Sequence, residues 1–205
     1  MKKSKITPKN NEAERRFFSS EMTIEQRAAG DDDERPTIVG YAAIFDSLSE
    51  DLGGFREMID PGAFAGTLGD DIKALFNHDS DQVPLGRTKA GTLELSTDKT
   101  GLRVVIDPPA TPFGDNVVGA IRRGDIDQMS FGFRTIEDKW RETDDGDIIR
   151  TLLEVRLFEV SPVSFPAYPQ TQVAVRSLEQ WIDETKPPFS QRDHDARELA
   201  LMALE

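Results

Sequence analysis

The chain of 205 residues contains no cysteine and only two histidines, His78 and His194. Without cysteine there is no disulfide framework, no thiolate-bound metal or iron–sulfur cluster, and no cysteine nucleophile. Two histidines are too few for a multi-histidine metal centre. The longest apolar stretch, residues 37–45, is about half the length that a membrane-spanning helix needs. We therefore expect no membrane-spanning helix and no thiolate or multi-histidine metal centre.

Charge is distributed unevenly along the chain. The net charge is −13, yet residues 1–16 carry six basic and two acidic side chains, a net of +4, so the remainder sums to −17. An acidic body repels phosphate backbones, which argues against a nucleic-acid partner. The basic start is not followed by the apolar segment of a signal peptide, so we do not expect secretion.

The hydrophobic pattern predicts an α+β domain with a mostly antiparallel β-barrel core and surrounding helices. Short runs rich in valine, isoleucine and phenylalanine alternate with clusters of turn residues, which is typical of strands. Two helices are predicted: one begins at Asp60, and the other covers residues 115–123 and ends at Gly124.

Composition marks both ends of this domain. Residues 1–14 are polar and lack hydrophobic periodicity, which predicts a disordered basic tail. Residues 177–205 are charged and helix-prone, and Pro187 interrupts them, so they predict a charged helical tail outside the core. The domain itself is expected at residues 15–176.

Two residues in strand-like segments are candidates for acid–base or nucleophilic chemistry. His78 follows a short predicted strand and is either a surface-loop histidine or a general base that faces a cleft. Ser130 lies among apolar and aromatic residues. It is either a nucleophile shielded from water or a core-edge serine bonded to a backbone carbonyl. Gly132, two residues on, would allow a substrate backbone to approach closely.

Glu159 is an acid inside an otherwise apolar run. Strict alternation along a strand would put it on one face with Leu157 and Ser161. A half-buried carboxylate is costly unless it is paired, which makes Glu159 a site candidate, although nearby Arg156 offers a simple ion pair instead.

Seven sequence blocks, taken together and in order, resemble the prohead maturation proteases of tailed bacteriophages. They span about residues 36–175 and read GYAAIFD at 40–46, EMIDPGAF at 57–64, LFNHD at 75–79, PLGR at 84–87, TGL at 100–102, MSFGF at 129–133 and EVSPVSFPAYP at 159–169. Each block alone is modest, but the ordered set is specific.

This resemblance implies a serine endopeptidase of the Ser-His-acid type, related in fold to the herpesvirus assemblins. Its expected partners are the major capsid protein, a scaffold protein, or both. It would work in the host cytoplasm within the assembling prohead, where it would cleave the scaffolding segment of the capsid protein or a separate scaffold and digest itself. No cofactor is implied. Assemblins dimerise, so a homodimer is compatible with the resemblance.

Matched residue by residue, the resemblance makes His78 the general base and Ser130 the nucleophile. It assigns the acidic member to Glu159, with Asp79 or a backbone carbonyl as alternatives. Two other functions stay open: a non-catalytic capsid-assembly or scaffolding protein that retains the protease fold, and an acidic β-barrel binding module. The ordered blocks argue against the binding module.

Overall fold

Strands dominate the fold, as the runs of β-branched and aromatic residues predict. The computed structural model describes residues 4–6, 13–19, 22–26, 36–165 and 172–185. Within these ranges the strands are, in chain order, β1 (Ser4–Ile6), β2 (Glu14–Ser19), β3 (Thr23–Gln26), β4 (Pro36–Ile44), β5 (Arg56–Ile59), β6 (Lys73–Ala74), β7 (Gly86–Arg87), β8 (Leu93–Thr97), β9 (Gly101–Ile106), β10 (Gln128–Glu142) and β11 (Ile148–Val163). A 3₁₀ turn at Thr88–Ala90 and the helices α1 (Pro112–Arg123) and α2 (Gln172–Thr185) complete these elements.

The described strands form two sheets and no closed barrel. The larger sheet has the order β1-β10-β11-β6-β7, with β2 also paired to β10 and β5 also paired to β11. The smaller sheet has the order β3-β4-β9-β8. The predicted mixture of helices and strands is confirmed, whereas the predicted assemblin-like barrel is not observed. A barrel requires its outermost strands to pair with each other, but β6 and β7 are two residues long and end the larger sheet.

Strands β10 and β11 form the longest pairing in the molecule. They contain 15 and 16 residues and run antiparallel from Gln128 opposite Val163 to Glu142 opposite Ile148. The register shifts just after Gly132, so that residue 158 is an extra residue on β11. This β-bulge changes which face the following side chains occupy.

The main core lies between the two sheets. One face of β10 and β11 contributes Phe131, Phe133 and Val160, and the smaller sheet contributes Ile38, Leu102 and Val104, all of them fully buried. Residues of α1 close one side of this core, since Val117, Val118 and Ile121 are buried as the predicted helical spacing requires.

The helix predicted to begin at Asp60 is not formed. Residues 60–70 instead make successive turns, in which backbone N–H groups bond to carbonyls three residues earlier: Ala63 to Asp60, Ala65 to Gly62, Thr67 to Phe64 and Asp70 to Thr67. Three glycines in this short segment lower its helix propensity. The helix predicted over 115–123 is confirmed, and Gly124 ends it in the left-handed conformation.

Both predicted tails overlap elements of the structure. Strand β1 lies within residues 1–14, and its backbone pairs with β10. The predicted boundary at residue 176 falls inside α2, where Trp181 is buried and stacks on Trp140 with ring centroids 6.0 Å apart. The rest of the C-terminal tail, from residue 186, lies outside the described residues. Neither described helix has the length and apolar character needed to cross a bilayer.

Five charged side chains are buried together where β2, β5, β10 and β11 meet. Arg16 binds Glu57 (2.7 Å) and Glu14 (2.8 Å). Arg150, which is 0% exposed, binds Glu14 (2.8 Å), Glu57 (3.0 Å) and Asp138 (2.8 Å). We call these five residues the buried charge cluster. It fixes the short strand β2 to the long β10–β11 pair.

The ionisation of this cluster favours the folded state at neutral pH. Burial raises the pKa of Glu14, but the charges of Arg150 and Arg16 outweigh burial and lower that pKa from 4.5 to about 2. Burial raises the pKa of Asp138, so the ionisation of this carboxyl opposes the stabilising contribution of Glu14.

We predict that acid weakens the fold through Glu14. A carboxyl whose pKa is lowered by folding stabilises the native state above its unfolded pKa and loses that contribution as the pH falls through the folded value. The interval from 4.5 to about 2 corresponds to about 3 kcal/mol. The free energy of unfolding, measured in urea at pH 5 and at pH 2.5, should fall between these two pH values in the wild type. The fall should be smaller in Glu14→Gln, by up to that amount. Equal losses in both proteins would contradict the assignment, and the exposed-site variant Glu50→Gln should behave like the wild type.

Candidate active site

The register of β10 on β11 places four residues on one face of the larger sheet. Ser130 lies opposite Ser161, and Gly132 lies opposite Glu159. Directly paired residues of antiparallel strands point to the same side, and alternate residues share a face. Phe131 therefore faces the core on the other side of the sheet, while the serine and the carboxylate share the face discussed here.

His78 reaches this face from the segment that follows β6. That strand runs parallel to β11, with Lys73 opposite Glu159, and the backbone N–H of Asn77 continues the contact by donating to the carbonyl of Pro162 (3.1 Å). Asn77 and His78 both have positive φ, 52° and 60°, a conformation that non-glycine residues rarely adopt. The side-chain oxygen of Asn77 accepts from the Ser164 N–H (2.8 Å), which braces the strained turn.

A carboxylate orients the His78 ring. Nδ1 of His78 lies 2.6 Å from Oε1 of Glu159, and the two side chains are 9% and 5% exposed. The other carboxylate oxygen, Oε2, accepts a hydrogen bond from Ser161 Oγ (2.7 Å). Arg15 Nε lies 3.8 Å from Oε1. The carboxylate therefore has partners on both oxygens, and the Nε2 atom of the ring is left to act on another group.

Gly132 makes room for this carboxylate. A Cβ built at this position would lie 2.4 Å from Glu159 Oε1 and 2.7 Å from Phe158 Cε2. Both distances are shorter than side-chain packing allows, so any larger residue would displace Glu159 or the bulge residue. The sequence-based interpretation reserved this space for a substrate backbone, whereas in the structure it is occupied by the acid.

Ser130 is fully buried, and its hydroxyl is engaged elsewhere. Its Oγ donates to the backbone carbonyl of Arg16 (2.7 Å). Nε2 of His78 is buried and has no hydrogen-bond partner. The structure thus places Ser130 on the face that carries Glu159 but does not join it to His78 by a hydrogen bond. The backbone-carbonyl partner expected for a core-edge serine is the one observed.

Asp79, the alternative acid, is turned into its own loop. Its Oδ1 accepts from the backbone N–H of Asp81 (2.9 Å), a short local turn. Glu159 is the carboxylate that contacts His78.

No three histidine, aspartate or glutamate side chains are grouped as a metal site would require in the described ranges.

Sequence reasoning missed two features of the site. The first is the bulge at Phe158, which moves Leu157 into the core opposite Phe133, away from the face of Glu159. Strict alternation predicted the opposite, and only Ser161 shares the face as expected. The second is β2, whose residue Arg15 lies near Glu159 where Arg156 had been considered as the ion-pair partner.

Comparison with known protein families gives a match over most of the chain. The family model described as caudovirus prohead serine protease matches residues 22–186. No curated protein matches. A solved structure described as that of the bacteriophage T4 capsid assembly protease, gp21, aligns with 9% sequence identity and a TM-score of 0.45, covering 74% of this chain and 96% of that one.

We predict that Gly132→Ala disables the site without unfolding the protein. The added methyl group cannot share space with Glu159, and misplacing an orienting group by about 1 Å can cost roughly 100-fold in rate. On the sequence-based hypothesis that Ser130 is the nucleophile, the rate at which a fluorophosphonate, a reagent for activated serines, labels it should fall by about that factor. Gly119→Ala in α1, where an added Cβ meets nothing within 4 Å, is the matched control and should label normally. Normal labelling of Gly132→Ala would show that Glu159 need not hold its present position.

Proposed function

The chain belongs to the caudovirus prohead serine protease family, and from that premise we propose that it cleaves peptide bonds with Ser130 as the nucleophile, His78 as the general base and Glu159 as the orienting acid. The observation that carries the proposal is the 2.6 Å contact between His78 Nδ1 and Glu159 on the face that also carries Ser130. A base held by a third group beside a serine is the arrangement of acyl-transfer enzymes.

In the proposed reaction, His78 Nε2 takes the proton of the Ser130 hydroxyl as Oγ attacks the carbonyl carbon of the scissile amide. His78 then returns this proton to the leaving amine, and an acyl-enzyme remains on Ser130. Water then attacks the ester carbonyl while His78 takes one of its protons; the bond to Ser130 Oγ breaks, His78 returns the proton to Oγ, and the new carboxylic acid leaves. Glu159 holds the Nδ1–H of the ring and stabilises the positive charge that forms on it.

The environment of the carboxylate supports this role. Glu159 cannot rotate freely, because Ser161 donates to one oxygen and His78 contacts the other. Gly132 leaves space for the carboxylate directly over β10. The orientation of the imidazole therefore comes from packed strands and not from a mobile loop, which suits a base that must act at a fixed position.

We propose the major capsid protein, or a scaffold protein, as the substrate inside the assembling prohead, followed by self-digestion. This assignment rests on the family alone. The site requires no cofactor in this mechanism.

One observation favours a second function. Ser130 is fully buried and its hydroxyl bonds to Arg16, as in a serine with only a structural role. A capsid-assembly or scaffolding protein that has kept the protease fold without activity would have such a serine. The two functions differ in whether Ser130 is needed for processing.

We predict that Ser130→Ala folds normally and abolishes cleavage of the co-expressed major capsid protein. The substitution removes one hydrogen bond, worth about 1 kcal/mol, so the thermal transition should move by only a few degrees. Gel analysis of the capsid protein after co-expression measures the effect. Complete processing by the variant would eliminate Ser130 as the nucleophile and leave the assembly function in its place.

We predict that Glu159→Gln slows processing without stopping it, because the acid orients the base and does not attack the substrate. Loss of such an acid costs up to about 10⁴-fold in turnover. Asp79→Asn is the matched control and should leave the rate unchanged, since the amide oxygen can still accept from Asp81. If Asp79→Asn processed the capsid protein slowly and Glu159→Gln processed it at the wild-type rate, Asp79 would be the orienting acid.

A further inference from the structure

Strand β2 occupies the free edge of the strand that carries Ser130. It pairs antiparallel with β10 from Glu14 opposite Phe133 to Ser19 opposite Gln128. Phe17 lies directly opposite Ser130, and Arg15 lies opposite Gly132. Without β2, this edge would present unpaired N–H and C=O groups next to the nucleophile, which is how an extended peptide is bound by strand addition.

The contact between β2 and Ser130 competes with the proposed chemistry. A serine hydroxyl has one proton, and here the Arg16 carbonyl receives it. His78 Nε2, the atom that should receive that proton during catalysis, is buried without a partner. An unsatisfied buried nitrogen is costly, so a donor that reached Nε2 would gain a favourable hydrogen bond.

Strand β2 is attached to the rest of the protein by buried ion pairs. Arg16 and Glu14 enter the buried charge cluster from β2, while Glu57, Asp138 and Arg150 enter it from the rest of the protein. The two charges that β2 contributes to the cluster, Glu14 and Arg16, sum to zero, and both can be hydrated if the strand leaves. An anchor of this kind holds the strand firmly yet allows exchange with another strand.

Strand β2 also lies outside the part of the chain that the family model matches. That match begins at Met22, three residues after β2 ends. The strand that covers Ser130 is therefore supplied by a segment of this chain that precedes the matched protease region.

We propose that the edge of β10 over residues 128–133 binds the extended segment of the substrate, and that β2 occupies this edge as an autoinhibitory strand. The proposal rests on the proposed function of Ser130. Displacement of β2 exposes the edge and frees the Ser130 hydroxyl to bond to His78. A substrate segment then pairs with β10 in the antiparallel sense, in the place that β2 leaves.

A disulfide between β2 and β10 tests the proposal in the full-length chain. Ser19 and Gln128 are register partners, and facing Cα atoms of antiparallel strands are about 4.5–5.5 Å apart, within the range that a disulfide spans. The double variant Ser19→Cys with Gln128→Cys contains no other cysteine, because the native chain has none. Oxidation locks β2 in place, and dithiothreitol releases it.

The readout is the rate at which a fluorophosphonate probe labels Ser130. A reagent reaches this serine only when β2 is displaced, so the observed rate is the intrinsic rate multiplied by the displaced fraction. The oxidised double variant should label at least about tenfold more slowly than the reduced one, whose rate should match the wild type. The two single-cysteine variants, treated identically, should show no redox effect, and Ser130→Ala should not label.

Loosening the anchor should have the opposite effect. Arg16→Met removes the side chain that joins β2 to Glu57 and leaves its backbone carbonyl unchanged, so labelling should accelerate by about tenfold or more, since breaking a buried ion pair is strongly destabilising. Arg123→Met, at an exposed site on α1, is the matched control and should label at the wild-type rate.

Equal labelling of the oxidised and reduced double variant would overturn the autoinhibitory role while leaving Ser130 as the nucleophile. Absence of labelling in every form, Arg16→Met included, would instead remove the proposed function and this inference with it.

Discussion

The pairing of β10 with β11 is the constraint on which the rest of the structure depends. Every other strand of the larger sheet, apart from β7, is hydrogen-bonded to one of these two. The same register fixes the site, because it sets Glu159 opposite Gly132 and Ser161 opposite Ser130. A slip of β11 by one residue would turn Glu159 and Ser161 towards the core and Val160 to the opposite face. The hydrophobic core therefore enforces the position of the polar face, and the bulge at Phe158 is the break in alternation that lies next to the site.

The buried charge cluster has a different function from the core. Removing charges from water costs several kcal/mol per ion, so such clusters contribute little net stability compared with apolar residues of the same size. Their value lies in selecting one arrangement, since a misplaced strand would leave a buried charge unpaired. Here the cluster selects the position of β2, a strand of only six residues. Glu14 and Arg16 thereby fix the register in which β2 pairs with β10, and hence which backbone carbonyl lies beside Ser130.

Much of this could be predicted from the sequence, and the failures have physical causes. The strands with β-branched residues and α1 were predicted because local patterning determines them, and Glu159 was identified because a carboxylate in an apolar run needs a partner. The barrel was a wrong prediction because closure depends on pairing between strands distant in sequence. The bulge and the position of β2 escaped prediction for a similar reason. Each feature depends on pairing with a neighbouring strand, and the residue pattern within the segment itself does not predict it.

In the mechanism proposed above, two acceptors compete for one proton in the resting site. The Arg16 carbonyl holds the Ser130 hydroxyl at 2.7 Å, and His78 Nε2 has no donor. A backbone carbonyl cannot remove the proton, so a serine bonded to it remains a weak nucleophile, whereas a neutral imidazole can remove it. Glu159 already orients the ring, so the base needs no further assembly. The arrangement thus separates the preparation of the base, which the β10–β11 register completes during folding, from the release of the nucleophile, which depends on a strand held by charges.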